Sequence, residues 1–386
     1  MLCATKLRLL RIIFTQAMHI LHIYKDYYPI LGGIENHLKL LAETQAAHGH
    51  QVSVLVTNAS RHTRIETING VRVIFAGRLT TVASTPLSVE LLLHLARQQP
   101  DIIHLHFPYP LGDVAQRLFG RRGQLVISYH SDIVRQKRLL HFYAPLLWAA
   151  LARAKRIIAT SPRYITTSPF LSRHAAKCSV VPLGIELAAF ATADPADVAQ
   201  IRARFGSPLI LFVGRFRYYK GLTYLIQAMA QTPGHALLIG GEATTYRADL
   251  EACAHAAGVA DRLHFLGQQE RHLAAFFHAA DLFVLPSIER SEAFGIVQIE
   301  AQAAALPIVC TELGTGTSYV TQHGVTGFVV PPADSAALAQ AIQVLLANPE
   351  LARRMGLAGQ SRARQEFSHT RMVERIDQVY EAVMRN

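Results

Sequence analysis

From Met18 onward, short apolar runs alternate with longer stretches in which apolar residues return every three or four positions. The runs 19–24, 51–57, 71–76, 101–107, 124–130, 156–160 and 178–182 are rich in Ile and Val and read as strands. Stretches 35–48, 86–98 and 139–154 between them read as helices. The runs are continuously apolar rather than alternating, which predicts a parallel sheet buried on both faces. The pattern then restarts. A polar helix, 194–205, leads into strands at 208–214, 236–240, 262–266, 281–285, 308–311 and 327–330. Helices are expected at 222–231, 246–257, 293–304 and 335–347, and the stretch 349–386 reads as helical throughout.

The expected fold is α/β, with two doubly wound Rossmann-like domains facing a central cleft. Their bounds are 18–185 and 208–368, with a linker at 186–207 and a C-terminal helix, 369–386, packing back toward the first domain. Sheets of this kind bind ligands beyond the C-terminal ends of their strands, so two facing sheets hold one ligand between them. Residues 1–17 (MLCATKLRLLRIIFTQA) read as an extension, with translation starting at Met18. Their apolar patch is broken by Arg11 and is short for a secretory signal.

Composition narrows the classes. With 51% hydrophobic and 17% charged residues the chain is not disordered. The longest apolar run, 144–152, has nine residues and contains a proline, against the ~20 that a membrane-spanning helix needs. Four scattered cysteines without a CxxC pair exclude a disulfide scaffold or zinc ribbon and point to a reducing compartment. Nineteen histidines are dispersed and read mostly as surface residues. The net charge of +11 is uneven: residues 1–185 hold 22 basic and 8 acidic residues (+14), residues 186–386 hold 16 and 19 (−3). One half faces something anionic, and nucleic acid, an acidic membrane or a phosphorylated substrate all fit.

Three motifs carry chemistry. Gly32 and Gly33, in YYPILGGIE, follow the first strand and open a helix, where backbone can approach an anion. Such a pair also serves as a plain turn. Gly214-Arg215, then Lys220-Gly221, puts two cations at a strand mouth, which suits a diphosphate leaving group. Pro286-Ser287 ends a strand and is followed by Glu292-Ala293-Phe294-Gly295 and Glu300-Ala301. On a helix starting at Ala293, the two glutamates fall on one face about 12 Å apart by helical rise. Their carboxylates accept hydrogen bonds from sugar or ribose hydroxyls.

With these motifs in order, the chain from about Met18 to its end resembles the retaining glycosyltransferases of family 4, which have the GT-B fold. GGIE at 32–35, GHQVSVL at 49–55, GR…KG at 214–221, PS…E-x7-EA at 286–301 and TGFVVPP at 326–332 carry the likeness. Segments 130–135 (HSDIVR) and 312–320 (ELGTGTSYV) resemble the subgroup of mannosyl- and rhamnosyltransferases that build bacterial surface polysaccharides. The resemblance implies that Gly214, Arg215 and Lys220 hold the donor diphosphate and that Glu300 holds the ribose. It also implies that Glu292, with backbone N–H groups near Phe294 and Gly295, holds the donor sugar. Gly32 and Gly33 would close over the phosphates, and His130 would lie by the reaction centre. Without the resemblance, His130 is a polar strand-end residue.

Two departures stand out. Ala305 precedes Leu306-Pro307 where the family has Gly. Thr315, Gly316, Thr317 and Ser318 replace the usual glutamate segment, leaving diphosphate contact there to backbone N–H and hydroxyl donors. The implied reaction moves a hexose, with retention, from a nucleotide-diphosphate sugar to a glycan or lipid-linked acceptor. The resemblance implies no metal or cofactor, and the cleft motifs agree, with no DxD-like pair or ligand spacing. GDP-mannose or a GDP-deoxyhexose is favoured over UDP-sugars, with the base read near 240–242 and 265–267. A silent GT-B scaffold is the rival reading, and no nucleic-acid module is visible. Arg135, Lys137, Arg138, Arg153, Lys155 and Arg156 flank an apolar segment. They suggest a cytoplasmic protein held peripherally on the anionic inner face of the plasma membrane.

Overall fold

The computed structural model describes residues 17–30, 32–82, 85–120, 122–134, 137–241, 244–269 and 272–385. The expected extension lies outside these residues except for Ala17, as do Arg135 and Glu242.

The first domain is built from β1 (His19–Ile23), β2 (Gln51–Thr57), β3 (Arg64–Ile68), β4 (Val71–Ala76), β5 (Thr80–Val82), β6 (Thr85–Leu87), β7 (Ile102–Phe107), β8 (Gln124–Tyr129), β9 (Arg156–Ala159) and β10 (Cys178–Val180). Its main sheet runs β10-β9-β8-β7-β1-β2-β4-β3. All neighbours pair parallel except β3 and β4. The edge strand β3 (RIETI) is half-exposed and charged, so it lacks the apolar run that marks the others. The expected helix at 86–98 starts later, at Val89, because Thr85–Leu87 pairs with Thr80–Val82 and the Ser88 hydroxyl caps the helix at Leu91 N.

The second domain holds β11 (Leu209–Val213), β12 (His235–Ile239), β13 (Leu263–Gly267), β14 (Leu282–Leu285), β15 (Ile308–Thr311) and β16 (Gly327–Val330), all parallel in the order β13-β12-β11-β14-β15-β16. Its connectivity reverses between β11 and β14, as that of the first sheet does between β1 and β7, giving each sheet the switch point of a doubly wound fold. The helix Pro195–Phe205 is capped by Asp194 and buries Ile201 and Phe205 in the core under this sheet.

The chain crosses between domains twice, and the crossings hold each other. Ile185 N donates to Phe367 O at 3.0 Å, and His369 N donates to Ile185 O at 3.0 Å. A Cβ on Gly184 would lie 2.5 Å from Ser368 O, so the strands approach too closely for a larger residue. This crossing divides the expected C-terminal helix into Pro349–Glu366 and His369–Arg385. The second piece lays Met372, Val373, Ile376, Val379, Tyr380 and Val383 on Met18, Ile20, Leu41, Ile102, Val126 and Ile158 of the first domain.

Candidate active site

A cavity of about 580 Å³ lies between the two sheets. Its walls are the segments after β1, β8, β11 and β14, which the two topologies place face to face. Gly32, Gly33 and His130 line it from the first domain, and Arg215, Lys220, Glu292, Phe294 and Gly295 from the second. A Cβ on Gly33 would lie 4.0 Å from Ile296 Cδ1, so the domains touch here. Gly32 leaves room for another group: a Cβ there would lie 2.1 Å from Glu35 Oε2, whose carboxylate pairs with Lys25 at 3.8 Å.

The second-domain wall is ionic. Buried Lys220 donates to the buried Glu292 carboxylate, and Ser287 Oγ donates to the same Oε2 at 3.2 Å. Burial lowers the Lys220 pKa, but Glu292 outweighs it and the net shift is upward, so Lys220 stays charged. Gly214 has φ 154°, a strained backbone for any larger residue, and a Cβ there would press on Phe212 Cζ at 3.3 Å. Gly221 has φ 68°, and its Cβ would strike Pro286 O at 2.0 Å. This close approach seats the Lys220 loop against the end of β14. Arg215 is exposed to the cavity beside them.

Three expectations are corrected. The helix carrying Glu300 begins at Val297 rather than Ala293, because Gly295 turns the chain at φ 76°. Glu292 therefore sits in a loop ahead of the helix, and the same-face, 12 Å relation to Glu300 does not hold. Thr315 and Thr317 are fully buried and spend their hydroxyls within the domain, on Glu292 O at 2.8 Å and Thr311 O at 2.9 Å. Thr315 thereby anchors the Glu292 loop, and neither hydroxyl is left to donate to a diphosphate. The histidines are not all dispersed: His22, His37, His104, His106 and His130 are buried together in the first domain.

Two expected site residues, Gly214 and Glu300, stand apart from the cavity lining. Phe294 lines the cavity, with its ring packed edge-on against Phe367 (6.2 Å, 82°). Glu300 lies one turn beyond Val297, the last lining residue, and burial pushes its pKa up to about 7.

Sequence reasoning missed a clamp across the cleft. Arg290 donates to Asp132 Oδ2 from Nη2 at 2.8 Å and from Nε at 3.2 Å, and to Gly314 O at 3.0 Å. Asp132 Oδ1 also accepts from Tyr129 OH at 2.8 Å and Ser168 Oγ at 2.7 Å. The signal for the histidine cluster was present: His104 and His106 alternate on a fully buried strand (IIHLHF), where polar side chains need partners.

Two doubly wound sheets, parallel but for the edge strand β3, closed over a charged interdomain cavity, define the GT-B architecture. The family profile described as "Glycosyl transferases group 1" matches residues 195–362, and "Glycosyltransferase Family 4" matches residues 31–189. The chain belongs to the family 4 glycosyltransferases. It is 34% identical to the O-antigen chain mannosyltransferase C of Escherichia coli over 95% of this chain and 99% of that protein. It is 35% identical to the D-rhamnosyltransferase WbpZ of Pseudomonas aeruginosa, over 91% of this chain and 92% of that one. Among solved structures, sucrose-phosphate synthase from Thermosynechococcus elongatus superposes with a TM-score of 0.79 at 26% identity, covering 95% and 98% of the two chains.

Proposed function

We propose that the protein transfers mannose or a related deoxyhexose, with retention, from a GDP-sugar to a glycan or lipid-linked acceptor during surface-polysaccharide synthesis. The observation that carries this reading is the Lys220–Glu292 pair beside Arg215, facing His130 across the cleft. Arg215 and Lys220 neutralise the departing diphosphate, a task that fixed cations perform without a metal. Glu292 and the backbone of Phe294 and Gly295 hold the sugar hydroxyls. Glu300 takes the ribose, and Gly32 and Gly33 cover the phosphates. The names of the two relatives support mannose and rhamnose as sugars and O-antigen as the context.

Thermal shift against UDP-, GDP- and ADP-sugars, followed by NMR of the product's anomeric centre, tests the donor and the stereochemistry. Stabilisation by GDP-mannose or GDP-rhamnose and an anomeric configuration matching the donor are expected, with turnover unchanged by EDTA. Inversion, or loss of activity with EDTA, refutes the corresponding part.

Peripheral membrane attachment belongs to the same reading. No helix among the described residues is long and apolar enough to cross a membrane. Phe142 is 87% exposed, and Leu118 and Phe119 are also exposed on this domain. Arg153 is withdrawn from a lipid-facing role, since its guanidinium caps Gln116 O at 2.9 Å and Gly120 O at 2.6 Å. Salt-sensitive co-sedimentation with anionic vesicles, reduced by Phe142→Ser, is expected; indifference to such vesicles at low salt refutes attachment.

A further inference from the structure

Behind His130 runs a line of buried polar side chains that donor binding leaves unused. His130 Nε2 lies 3.0 Å from His106 Nδ1, and His106 Nε2 lies 3.1 Å from His22 Nδ1. His22 Nε2 lies 2.9 Å from Gln45 Oε1, and Gln45 Nε2 donates to Asp377 Oδ1 at 2.8 Å. The line starts on the C-terminal helix, passes through the helix Gly33–Ala47, β1 and β7, and ends on the cleft wall.

A neutral imidazole has one donor nitrogen and one acceptor nitrogen. Burial keeps these rings neutral: it lowers His22 to about 4, His130 to about 3, and His106 well below its ordinary value. In a row of neutral rings, fixing one end fixes every link. Asp377 supplies that end. Its carboxylate pairs with His48 at 3.6 Å and raises the His48 pKa. A carboxylate only accepts, so Gln45 turns its NH₂ toward Asp377 and its oxygen toward His22. His22 must then donate from Nε2 and accept at Nδ1. His106 donates to that Nδ1 from its own Nε2, which leaves its Nδ1 to accept from His130. Reversing the line would set the Gln45 oxygen against the carboxylate, two acceptors face to face.

We propose that Asp377, Gln45, His22 and His106 are positioning residues that hold His130 as the Nε2–H tautomer, so that its Nδ1 offers a lone pair to a hydroxyl of the sugar in the cleft. The hydroxyl contact rests on the donor-site reading above; the tautomer does not. The line transmits orientation and not charge, because the Gln45 amide does not relay a proton and burial opposes an imidazolium. His104 lies off it, bonded to Ser128 Oγ at 2.7 Å and Tyr380 OH at 2.5 Å. His37 belongs to a competing arrangement. Both its nitrogens are buried without a hydrogen-bond partner, and its ring lies 5.0 Å from that of His130. A metal ion held by His37, His106 and His130 would need a lone pair from each ring, in competition with the hydrogen bonds of the line.

Long-range ¹H–¹⁵N spectra of ligand-free, histidine-labelled protein read each tautomer without turnover, with signals assigned by single His→Gln replacements. His22, His106 and His130 should all carry the proton on Nε2. Asp377→Asn lets the new amide donate to Gln45, so Nδ1–H forms of all three should appear. kcat/KM should fall about tenfold, the worth of one substrate hydrogen bond. Adding Gln45→Glu places an acceptor at position 45 and should restore both tautomers and rate. The proposal is overturned if His130 of the unaltered protein is protonated on Nδ1, or if Asp377→Asn changes no tautomer. It is also overturned if chelator-washed protein takes up one equivalent of Co²⁺ with d–d absorption that His37→Gln abolishes. Correct tautomers with His130 signals insensitive to every nucleotide sugar would overturn the hydroxyl contact alone.

Discussion

The two walls of the cleft are built on the same kind of sheet and solve opposite problems. The second domain presents charge: Lys220 against Glu292, with Arg215 beside them. The first domain has its own charged pair, Lys25 and Glu35, to one side, but opposite Lys220 and Glu292 it presents a neutral imidazole, His130, backed by other neutral imidazoles. A nucleotide-diphosphate sugar has the same division. Its diphosphate is anionic and needs cations, while its hexose is neutral and needs directed hydrogen-bond donors and acceptors. One fold therefore supplies both, because switch points at the ends of two sheets can be furnished independently.

The sharpest way to break this contrast is to remove charge from the second wall. Lys220→Ala or Arg215→Ala should lower kcat on the order of 10²–10³-fold, measured by glycosyl transfer at saturating donor. Lys220→Ala also strands Glu292 and should cost about 3–5 kcal/mol of stability in denaturant titration. Lys220→Met with Glu292→Gln should recover much of that stability and none of the rate. Near-normal kcat in both single variants would remove the charged wall from the mechanism.

Within that wall the two glutamates should separate. Glu292→Ala should act mainly on kcat, and Glu300→Ala mainly on affinity for the free nucleotide, read by calorimetry. Equal losses of affinity would merge their roles. Glu300 adds a pH signature, because hydroxyl donors prefer its ionised form and its pKa in the free protein is about 7. Nucleotide affinity should rise as pH passes upward through 7, with proton release visible in buffers of differing ionisation enthalpy. The stability effect has the opposite sense. The folded value lies above the ordinary 4.5, so the contribution of Glu300 favours the fold below about 4.5 and is lost as pH rises through about 7.

Smaller effects follow from what holds the walls together and what lies behind them. Arg290→Ala frees Asp132 from its clamp across the cleft, and should enlarge the radius of gyration in solution scattering and lower kcat/KM roughly tenfold. An unchanged scattering curve would show that the clamp does not set closure. Ala305→Gly touches neither wall. Ala305 adopts φ 58° in the turn after the helix carrying Glu300, where glycine is unstrained, so the replacement should stabilise by about 0.5–1 kcal/mol with kinetics unaltered.

The parallel strands were legible in the sequence because burial on both faces writes an uninterrupted apolar run. β3 was not, since an antiparallel edge strand with one solvated face reads like a loop. The cleft residues were legible because strand ends mark the binding face: Gly32, Gly33, His130, Arg215, Lys220 and Glu292 all follow strands and line one cavity. The start of the Glu300 helix was misread. Helical periodicity is preserved through 293–296 while Gly295 bends the backbone, and a pattern of residue types does not register that bend. The Arg290–Asp132 clamp joins residues 158 positions apart and leaves no local trace. The histidine line was hidden because buried His and surface His are the same letter. Only the fully apolar strand around His104 and His106 tells them apart.

The C-terminal helix gives the first domain an unusual order of assembly. Met372, Val373, Ile376 and Tyr380 pack over Ile20, Ile102 and Val126, and they are synthesised long after the sheet beneath them. The nascent first domain has its sheet complete by Val180, yet the apolar patch that this helix covers waits while some two hundred further residues are made. Until then it carries an apolar surface open to chaperones. A stop codon in place of His369 should release a chain whose second sheet is whole and whose first is the part that aggregates.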